Sequence, residues 1–155
     1  IGKIMLSDLD RRILRYWQAE PSLAPAELAA RVGVSPAKAA RRIARMQDAG
    51  VIEGVSAVVD WRALGYAVEV SLRVTLDKTI ARAFDDFIDA ARAVPEVTEI
   101  QTFLGRVDVR LNIIARDMTH YQTIYRDRIL TLPHIADIES LMQIAQIKSE
   151  DSLPI

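Results

Sequence analysis

Four long cationic side chains recur at helical spacing in the segment that follows Ser35-Pro36. They stand at i, i+3, i+4 and i+7 and so share one face of a helix: Lys38, Arg41, Arg42 and Arg45. Ala39, Ile43 and Met46 lie on another face, which can pack against neighbouring helices. A helix that enters the major groove of DNA needs this division between an apolar back and a cationic front. We therefore predict a contact with double-stranded DNA made by this helix and its first residues, Ser35 and Pro36.

Two alternatives to this prediction stay open. Arginine and lysine side chains commonly do no more than solvate an exposed helix. Within the set, Arg42 or Arg45 could serve the fold by pairing with Asp48 or with the chain around it.

The helix with these cations is the third of three predicted near the N-terminus. Ser7 is a candidate N-cap for the first, and the second runs from about Pro25 to Arg31. Gly33 then provides a tight turn, and Ser35-Pro36 begins the third helix, which Gly50 ends. This is a helix-turn-helix. A short strand over Gly54–Val59 would add a rudimentary wing, which makes the domain winged-helix-like.

The rest of the chain changes period. Apolar residues alternate with polar ones from Tyr66 to Leu76, as in a half-buried strand. The later elements are, in order, a helix marked by Ile80, Phe84, Phe87, Ile88 and Ala91, strands Val97–Leu104 and Val107–Ile114 around a two-residue Gly105-Arg106 turn, a helix over Tyr121–Leu132, and a strand over Ala136–Ile147. The order β-α-β-β-α-β is that of the ferredoxin-like fold. The fold class is α+β.

Charge and composition bound the function. The chain has 155 residues, 50% of them hydrophobic, no cysteine and a formal net charge of −1. Residues 1–60 carry nine Lys/Arg against seven Asp/Glu, and residues 61–155 carry eleven against fourteen. The near-zero total therefore hides a basic first part. We predict a helix-turn-helix domain over residues 1–60, a boundary over 61–65 and a ferredoxin-like domain over 66–155. No segment has the length and apolarity of a membrane span, and no secretion signal is evident, so we predict a cytoplasmic, nucleoid-associated protein.

Motifs along nearly the whole chain resemble the leucine-responsive regulator/asparagine regulator (Lrp/AsnC) family of prokaryotic transcription factors. The similarity is carried by Leu9, Asp10, Ile13 and Leu14, Glu27-Leu28-Ala29, Val32-Gly33-Val34-Ser35, Arg42-Ile43-Ala44-Arg45-Met46, Gly50-Val51-Ile52, Leu64-Gly65, Pro95 with Val97, Gly105 with Asp108, and Leu153-Pro154-Ile155. The resemblance implies a sequence-specific regulator whose DNA affinity or oligomeric state responds to a small effector, typically an amino acid. It also implies a homodimer that assembles further, often to an octamer.

The resemblance implies a hinge over residues 61–65 and a sensing and oligomerisation domain over 66–155. It places an effector site at the interface between sensing domains, around the turn and strand that hold Gly105 and Asp108. Six residues are predicted to bind the effector: Thr102, Leu104, Gly105, Arg106, Asp108 and Ser140. The Asp108 carboxylate suits an α-ammonium group, and the amides of the turn suit a carboxylate. The alternatives are that Gly105 serves only the turn and that Asp108 is a solvated surface residue. The family usually has an aromatic residue where Val107 stands, which leaves the effector's identity open.

Catalysis has little support in the sequence. His120 and His134 lie at a helix start and just after Pro133, where solvated or capping roles are expected. We predict no catalytic residue, no metal site and no cofactor. Sirohaem decarboxylases, which resemble the family, are an enzymatic alternative, but the histidines they tend to carry are missing from residues 98–114. A DNA-binding or architectural protein of the same fold without an effector is another. The face of the sheet opposite the core, expected to expose Ile100, Thr102, Leu104, Leu141 and Ile147, predicts self-association.

Overall fold

The computed structural model describes residues 4–155 and divides the chain into two compact units. The first unit reaches Val58 and also includes Lys148–Ile155, and the second spans Val59–Ile147. The predicted sensing domain, by contrast, included Lys148–Ile155. Side chains of the first helix explain the difference. Gln18 bonds to both main-chain groups of Leu153, with Leu153 N donating to Gln18 Oε1 over 2.7 Å, and Arg15 Nε donates to the Ile155 carbonyl over 2.8 Å.

Three helices form the first unit: α1 (Asp8–Ala19), α2 (Pro25–Val32) and α3 (Pro36–Asp48). The Ser7 side chain caps α1 and the Ser35 side chain caps α3, as their positions predict. Gly33, between α2 and α3, has a φ of +75°, which glycine adopts without steric cost. Buried side chains from all three helices meet in one core: Ile13, Leu28, Val32 and Met46. The helix-turn-helix prediction is confirmed.

The segment predicted to add a wing has no regular structure in the single chain. Residues Gly54–Val59 form no strand or helix in the described part of the chain. Val55, Val58 and Val59 are instead largely exposed. A strand needs a partner for its backbone amides and carbonyls, and no neighbouring segment of the described chain supplies one here.

The second unit is a four-stranded antiparallel sheet with helices on one face. Its elements are β1 (Val68–Leu76), α4 (Ala83–Arg92), β2 (Val97–Thr102), β3 (Val109–Ala115), α5 (Met118–Ile124) with a π-helical turn over Tyr125–Ile129, and β4 (Ile135–Met142). A short 3₁₀ helix, Trp61–Leu64, precedes them. The strands lie in the order β2-β3-β1-β4, so both central strands pair on both sides. This confirms the ferredoxin-like prediction.

The strand alternation positions the core as predicted for β1. Val70, Leu72 and Val74 are buried and contact Phe87 of α4 and Ile129 through one continuous cluster. These three residues pair with Ile113, Leu111 and Val109 of β3, which are buried on the same face of the sheet. On the opposite face β1 carries polar side chains: Glu69, Ser71, Arg73 and Thr75.

Three element boundaries differ from the sequence prediction. The connection between β2 and β3 is the six-residue loop Phe103–Asp108, not a two-residue hairpin turn. Helix α4 begins at Ala83, so Ile80 lies before it. Strand β4 ends at Met142, and residues 143–155 contain no strand.

The prediction that Ile100 and Thr102 lie on the open face is also wrong. Ile100 is paired with Leu111 and Thr102 with Val109, both core-facing residues, and Ile100 packs against the core. A register shift between Val97 and Glu99 inserts one residue into β2, and such a bulge reverses which side chains face the helices. Leu141, opposite Ser71, does lie on the open face.

None of the helices within residues 4–155 has the length and apolarity of a membrane span.

Candidate nucleic-acid interface and effector site

Helix α3 presents a cationic surface because its opposite side is locked into the core of the first unit. Ala39 and Met46 are fully buried and Ile43 is half-buried against the same cluster. Lys38, Arg41 and Arg45 are exposed. Within residues 4–155 these three cations make no ion pair, so their charge is available to a partner. We call Lys38, Arg41 and Arg45 the cationic face of α3.

Ser35 and Pro36 hold the start of α3. Ser35 Oγ accepts a hydrogen bond from Lys38 N over 3.2 Å, and Pro36 occupies the first helical turn, where a missing amide hydrogen costs nothing. Both residues are exposed. Their contacts in the chain are those of a helix start, and they stay predictions as DNA contacts.

Arg42 differs from the other predicted DNA-binding residues because it is turned toward α1. Its Nε donates to Asp10 Oδ1 over 2.7 Å, and one terminal nitrogen donates to Asp10 Oδ2 over 2.5 Å and to Ser7 Oγ over 2.8 Å. Its partner is thus Asp10, not Asp48 as the alternative prediction had it. Arg42 therefore fixes α3 against α1, and the cation that it contributes is already neutralised.

Asp10 is fully buried, with 1% of its surface exposed. Besides the two bonds from Arg42, it accepts a hydrogen bond from Ser7 N over 2.9 Å, which completes a capping box at the start of α1. Burial opposes its ionisation, but the hydrogen bonds from Arg42 and Ser7 outweigh burial and hold the pKa of Asp10 below its ordinary value. The same ion pair raises the pKa of Arg42. Asp10 thus stays charged inside the first unit.

Three small residues share the exposed side of α3 and were not among the predicted DNA-binding residues. Ala37, Ala40 and Ala44 are exposed and stand at i, i+3 and i+7, beside the cationic face. Small side chains let a helix approach base edges closely, and a methyl group can contact the methyl of thymine. Their spacing along the sequence places them on one side of the helix, and it is the signal by which they could have been predicted.

The predicted effector residues lie around the Phe103–Asp108 loop of the second unit. Phe103 N donates to the Asp108 carbonyl over 2.9 Å, and Asp108 N donates to the Val74 carbonyl over 3.0 Å. The Thr75 hydroxyl donates to the Arg106 carbonyl over 2.8 Å. Gly105 has a φ of +153°, a backbone conformation that side chains of other residues disfavour. The loop is therefore fixed to β1 and requires glycine at one point.

The Asp108 carboxylate is already paired within the chain. Leu76 N donates to its Oδ2 over 2.8 Å, and the Lys78 ammonium contacts its Oδ1. The hydrogen bond from Lys78, with that from Leu76, holds the pKa of Asp108 below its ordinary value. Asp108 is 14% exposed, so it is neither the solvated residue of the alternative prediction nor a vacant acceptor for an ammonium group.

An open hollow of about 550 Å³ lies beside this loop. Its lining includes three of the predicted effector residues, Leu104, Gly105 and Arg106, together with Phe103, Val107, Arg73 and Arg110. A neighbouring hollow of about 570 Å³ shares Arg106 and Val107 and is lined further by Thr75, Asp137 and Glu139. The loop thus separates a cationic hollow from an acidic one, and we use those two names below.

Thr102, Asp108 and Ser140 line neither hollow. Thr102 shares the helix side of the sheet with Val109, its pairing partner. Ser140 is paired with the buried Leu72 and lies 3.3 Å from the Tyr121 hydroxyl of α5. Because Ser140 faces the helices, the structure separates it from Leu104, Gly105 and Arg106.

The two histidines have local partners. His120 Nδ1 accepts a hydrogen bond from Arg116 N over 3.0 Å, and His120 N donates to Asp117, the N-cap of α5. His134 Nε2 lies 3.0 Å from Asp86 Oδ2. In the described residues, no three His, Asp or Glu side chains are grouped as metal ligands.

Two family models match the chain, one over each unit. Residues 6–53 match the winged helix-turn-helix DNA-binding model, and residues 69–153 match the Lrp/AsnC ligand binding domain. The second match alone covers more than half of the chain and reaches into the C-terminal residues that contact α1.

Similar proteins match over nearly their whole length. The proline dehydrogenase transcriptional activator of Rhodobacter capsulatus is 30% identical over 148 residues, which cover 96% of each chain. The transcriptional regulator AzlB of Bacillus subtilis is 28% identical over 152 residues, covering 98% of this chain and 97% of AzlB. Among solved structures, a transcriptional regulator of Neisseria meningitidis in complex with L-Met superposes with a TM-score of 0.89 at 28% identity, covering 97% of both chains.

Proposed function

Since this chain belongs to the Lrp/AsnC family of transcriptional regulators, we propose that it binds specific DNA sites through the exposed side of α3. We propose further that a small carboxylate molecule, an amino acid or a close chemical relative, binds at the Phe103–Asp108 loop and changes DNA affinity or assembly. The coupling between these two sites is a free energy, so DNA and effector each change the affinity for the other.

The observation that carries the DNA proposal is the division of α3. Three unpaired cations and three exposed alanines share the outer side of the helix, whereas Ala39 and Met46 anchor the inner side. Cations bind phosphates and guanine edges, and small residues allow close approach to the groove floor. Arg42 is left out of the proposed interface because it is bound to Asp10.

A homodimer is part of the proposal. Two copies of α3 would enter successive major grooves about 34 Å apart on a near-palindromic site. The exposed valines at positions 55, 58 and 59, in a segment without strand partners in the described chain, support association with a second copy. Leu141 on the open face of the sheet, 37% exposed, supports it further. Sedimentation equilibrium tests the state, and a monomer at micromolar concentration would contradict it.

The test of the DNA proposal is the double variant Arg41→Ala/Arg45→Ala in the full chain. We expect affinity for a selected operator to fall by about tenfold to a hundredfold. The slope of the logarithm of the binding constant against the logarithm of salt concentration should become shallower by about one unit for each lost phosphate contact. Arg92→Ala removes one exposed cation from α4 and is the matched control. Unchanged operator affinity in the double variant, with the thermal midpoint preserved, would contradict the assignment of α3.

The proposed role is regulation without catalysis. The relatives are named regulators. Each histidine ring has a local partner, Arg116 N for His120 and Asp86 Oδ2 for His134. Incubation with sirohaem followed by mass spectrometry tests the enzymatic alternative, and loss of carbon dioxide would overturn this part. Operator binding that ignores every small molecule offered would favour the effector-independent alternative.

A further inference from the structure

The cationic hollow has a charge pattern that bears on the class of the effector. Arg73 of β1 and Arg110 of β3 are directly paired across the two central strands, and Arg106 comes from the loop. Like charges placed directly opposite each other in a sheet repel. Of the described residues that line this hollow, none has a carboxylate. The hollow therefore favours an anion.

Arg110 has unused capacity for such a ligand. One terminal nitrogen lies 3.5 Å from Glu99 Oε2, but its Nε is buried and makes no hydrogen bond to any described residue. A ligand carboxylate in the open hollow does not reach this buried nitrogen, but the side chain of Arg110 as a whole is 37% exposed and offers its remaining surface to such a ligand. Arginine also presents a planar set of donors that matches a carboxylate.

The remaining lining is apolar. Phe103, Leu104 and Val107 contribute hydrocarbon surface, and Phe103 and Leu104 are 48% and fully exposed. A ligand for this hollow therefore combines a carboxylate with an apolar substituent. An amino acid fits that description except for its ammonium group, which needs an acceptor of its own.

The two carboxylates beside the lining of this hollow are already paired within the chain: Glu99 with Arg110, and Asp108 with Leu76 N and Lys78. Asp108 is the last residue of the loop and directly precedes β3, but Leu76 N and the Lys78 ammonium occupy its two carboxylate oxygens. Lys78 thus covers the carboxylate that directly follows Val107 of the lining. An amino acid would have to displace Lys78 or reach past Arg106 into the acidic hollow.

We infer that Lys78 is a specificity-determining residue and that the cationic hollow takes a small carboxylate with an apolar substituent and no α-ammonium group, the class of the 2-oxo acids. This inference rests on the proposed ligand-binding role of the second unit and narrows it. Lys78 neutralises Asp108 from within the chain, and Arg73, Arg106 and Arg110 are left to bind the ligand's carboxylate.

The experiment compares matched pairs that differ only at the α-carbon: L-leucine with 4-methyl-2-oxopentanoate, and L-methionine with 4-methylthio-2-oxobutanoate. Calorimetric titration of the full chain is expected to give at least tenfold tighter binding of the oxo acid in each pair. Lys78→Met, which frees Asp108, is expected to lower that preference at least tenfold by strengthening amino-acid binding. Lys148→Met is the control, since Lys148 belongs to the first unit and lies outside both hollows.

Two further variants locate the ligand. Arg110→Gln is expected to weaken oxo-acid binding at least tenfold, whereas Asp137→Asn in the acidic hollow is expected to leave it unchanged. Amino acids that bind the unaltered protein as tightly as their oxo partners would overturn the inference, as would an unchanged preference in Lys78→Met. Binding of neither member of either pair would also overturn it. Operator binding is measured in parallel, so failure of this inference is distinguished from failure of the DNA-binding proposal.

Discussion

Asp10 in the first unit and Asp108 in the second are two carboxylates held by the same kinds of partner in different ways. Each accepts a hydrogen bond from a backbone amide, Ser7 N in one case and Leu76 N in the other, and each pairs with one cation. Asp10 is 1% exposed and Asp108 is 14% exposed. The cations differ more: the side chain of Arg42 is 23% exposed, and that of Lys78 is 65% exposed.

The difference separates a buried, two-point contact from a solvated, one-point contact. Arg42 donates from two nitrogens to both oxygens of Asp10, so the planar guanidinium defines the angle between α3 and α1. Lys78 contacts one oxygen of Asp108 through a flexible, hydrated ammonium group. Partially exposed pairs of this second kind are screened by water and salt. We therefore expect Asp10 to serve stability and Asp108 with Lys78 to serve recognition.

The largest effect is expected for Asp10→Ala. Removing Asp10 breaks the capping box and leaves the partly buried Arg42 without its acceptor, so the free energy of unfolding of the first unit is expected to fall by about 2–3 kcal/mol. Trp17 lies in the first unit and Trp61 in the second, and these are the two tryptophans of the chain. Urea unfolding followed by Trp17 fluorescence in a Trp61→Phe background reports the first unit alone.

Asp8→Ala is the matched control, because Asp8 lies in the same first turn but is exposed. It should change the unfolding midpoint far less. Equal effects of the two substitutions would show that the loss comes from the helix dipole and not from the pair with Arg42. Operator binding by Asp10→Ala should weaken even though Asp10 is buried away from DNA.

Lowering the pH is expected to destabilise the first unit by a smaller amount than the substitution Asp10→Ala. The folded pKa of Asp10 lies below its ordinary value of about 3.9, so its contribution to stability is complete above that value and is lost as pH falls through the lower folded pKa. The difference in unfolding free energy between the unaltered protein and Asp10→Asn should therefore stay constant from neutral pH to about pH 5 and shrink below about pH 4. Trp17 fluorescence in urea series at several pH values measures it.

A difference that grows as pH falls would contradict the assignment, since it would require a raised folded pKa for Asp10. The pKa of Asp108 is also held low, by Lys78 and Leu76. The difference in unfolding free energy between the unaltered protein and Asp108→Asn should therefore also shrink as pH falls, but by a smaller amount. Trp61 fluorescence in a Trp17→Phe background measures it.

The parts of the fold that were predicted correctly from the sequence are those set by residues close together in the chain. The caps at Ser7 and Ser35 and the left-handed Gly33 act within a few residues, so the start of α1, the turn and the start of α3 follow from spacing. The alternation in β1 correctly predicted its buried face. In β2, one inserted residue between Val97 and Glu99 reversed the faces, and nothing in the alternation from Ile100 onward reveals that bulge.

The sites depended on contacts between residues far apart in the chain. Arg42 shares its spacing with Lys38, Arg41 and Arg45, and only Asp10, 32 positions earlier, distinguishes it from them. The Gly105-Arg106 pair fits a hairpin turn locally, but the loop is wider because Asp108 is bonded to Val74, Leu76 and Lys78. Helical or strand periodicity cannot reveal such pairs, since each side chain satisfies its local pattern.

The smallest effect on stability is expected for Lys78→Met. This variant tests most directly whether Asp108 depends on its cation less than Asp10 does. Asp108 would keep the hydrogen bond from Leu76 N, and water can replace the exposed ammonium group. The unfolding midpoint of the second unit, followed by Trp61 fluorescence, should thus change little. Arg42→Met should lower the midpoint reported by Trp17, because water cannot reach the buried Asp10 to the same extent. A large loss from Lys78→Met would mean that Lys78 holds Asp108 as firmly as Arg42 holds Asp10, and the pair would then serve stability and not recognition.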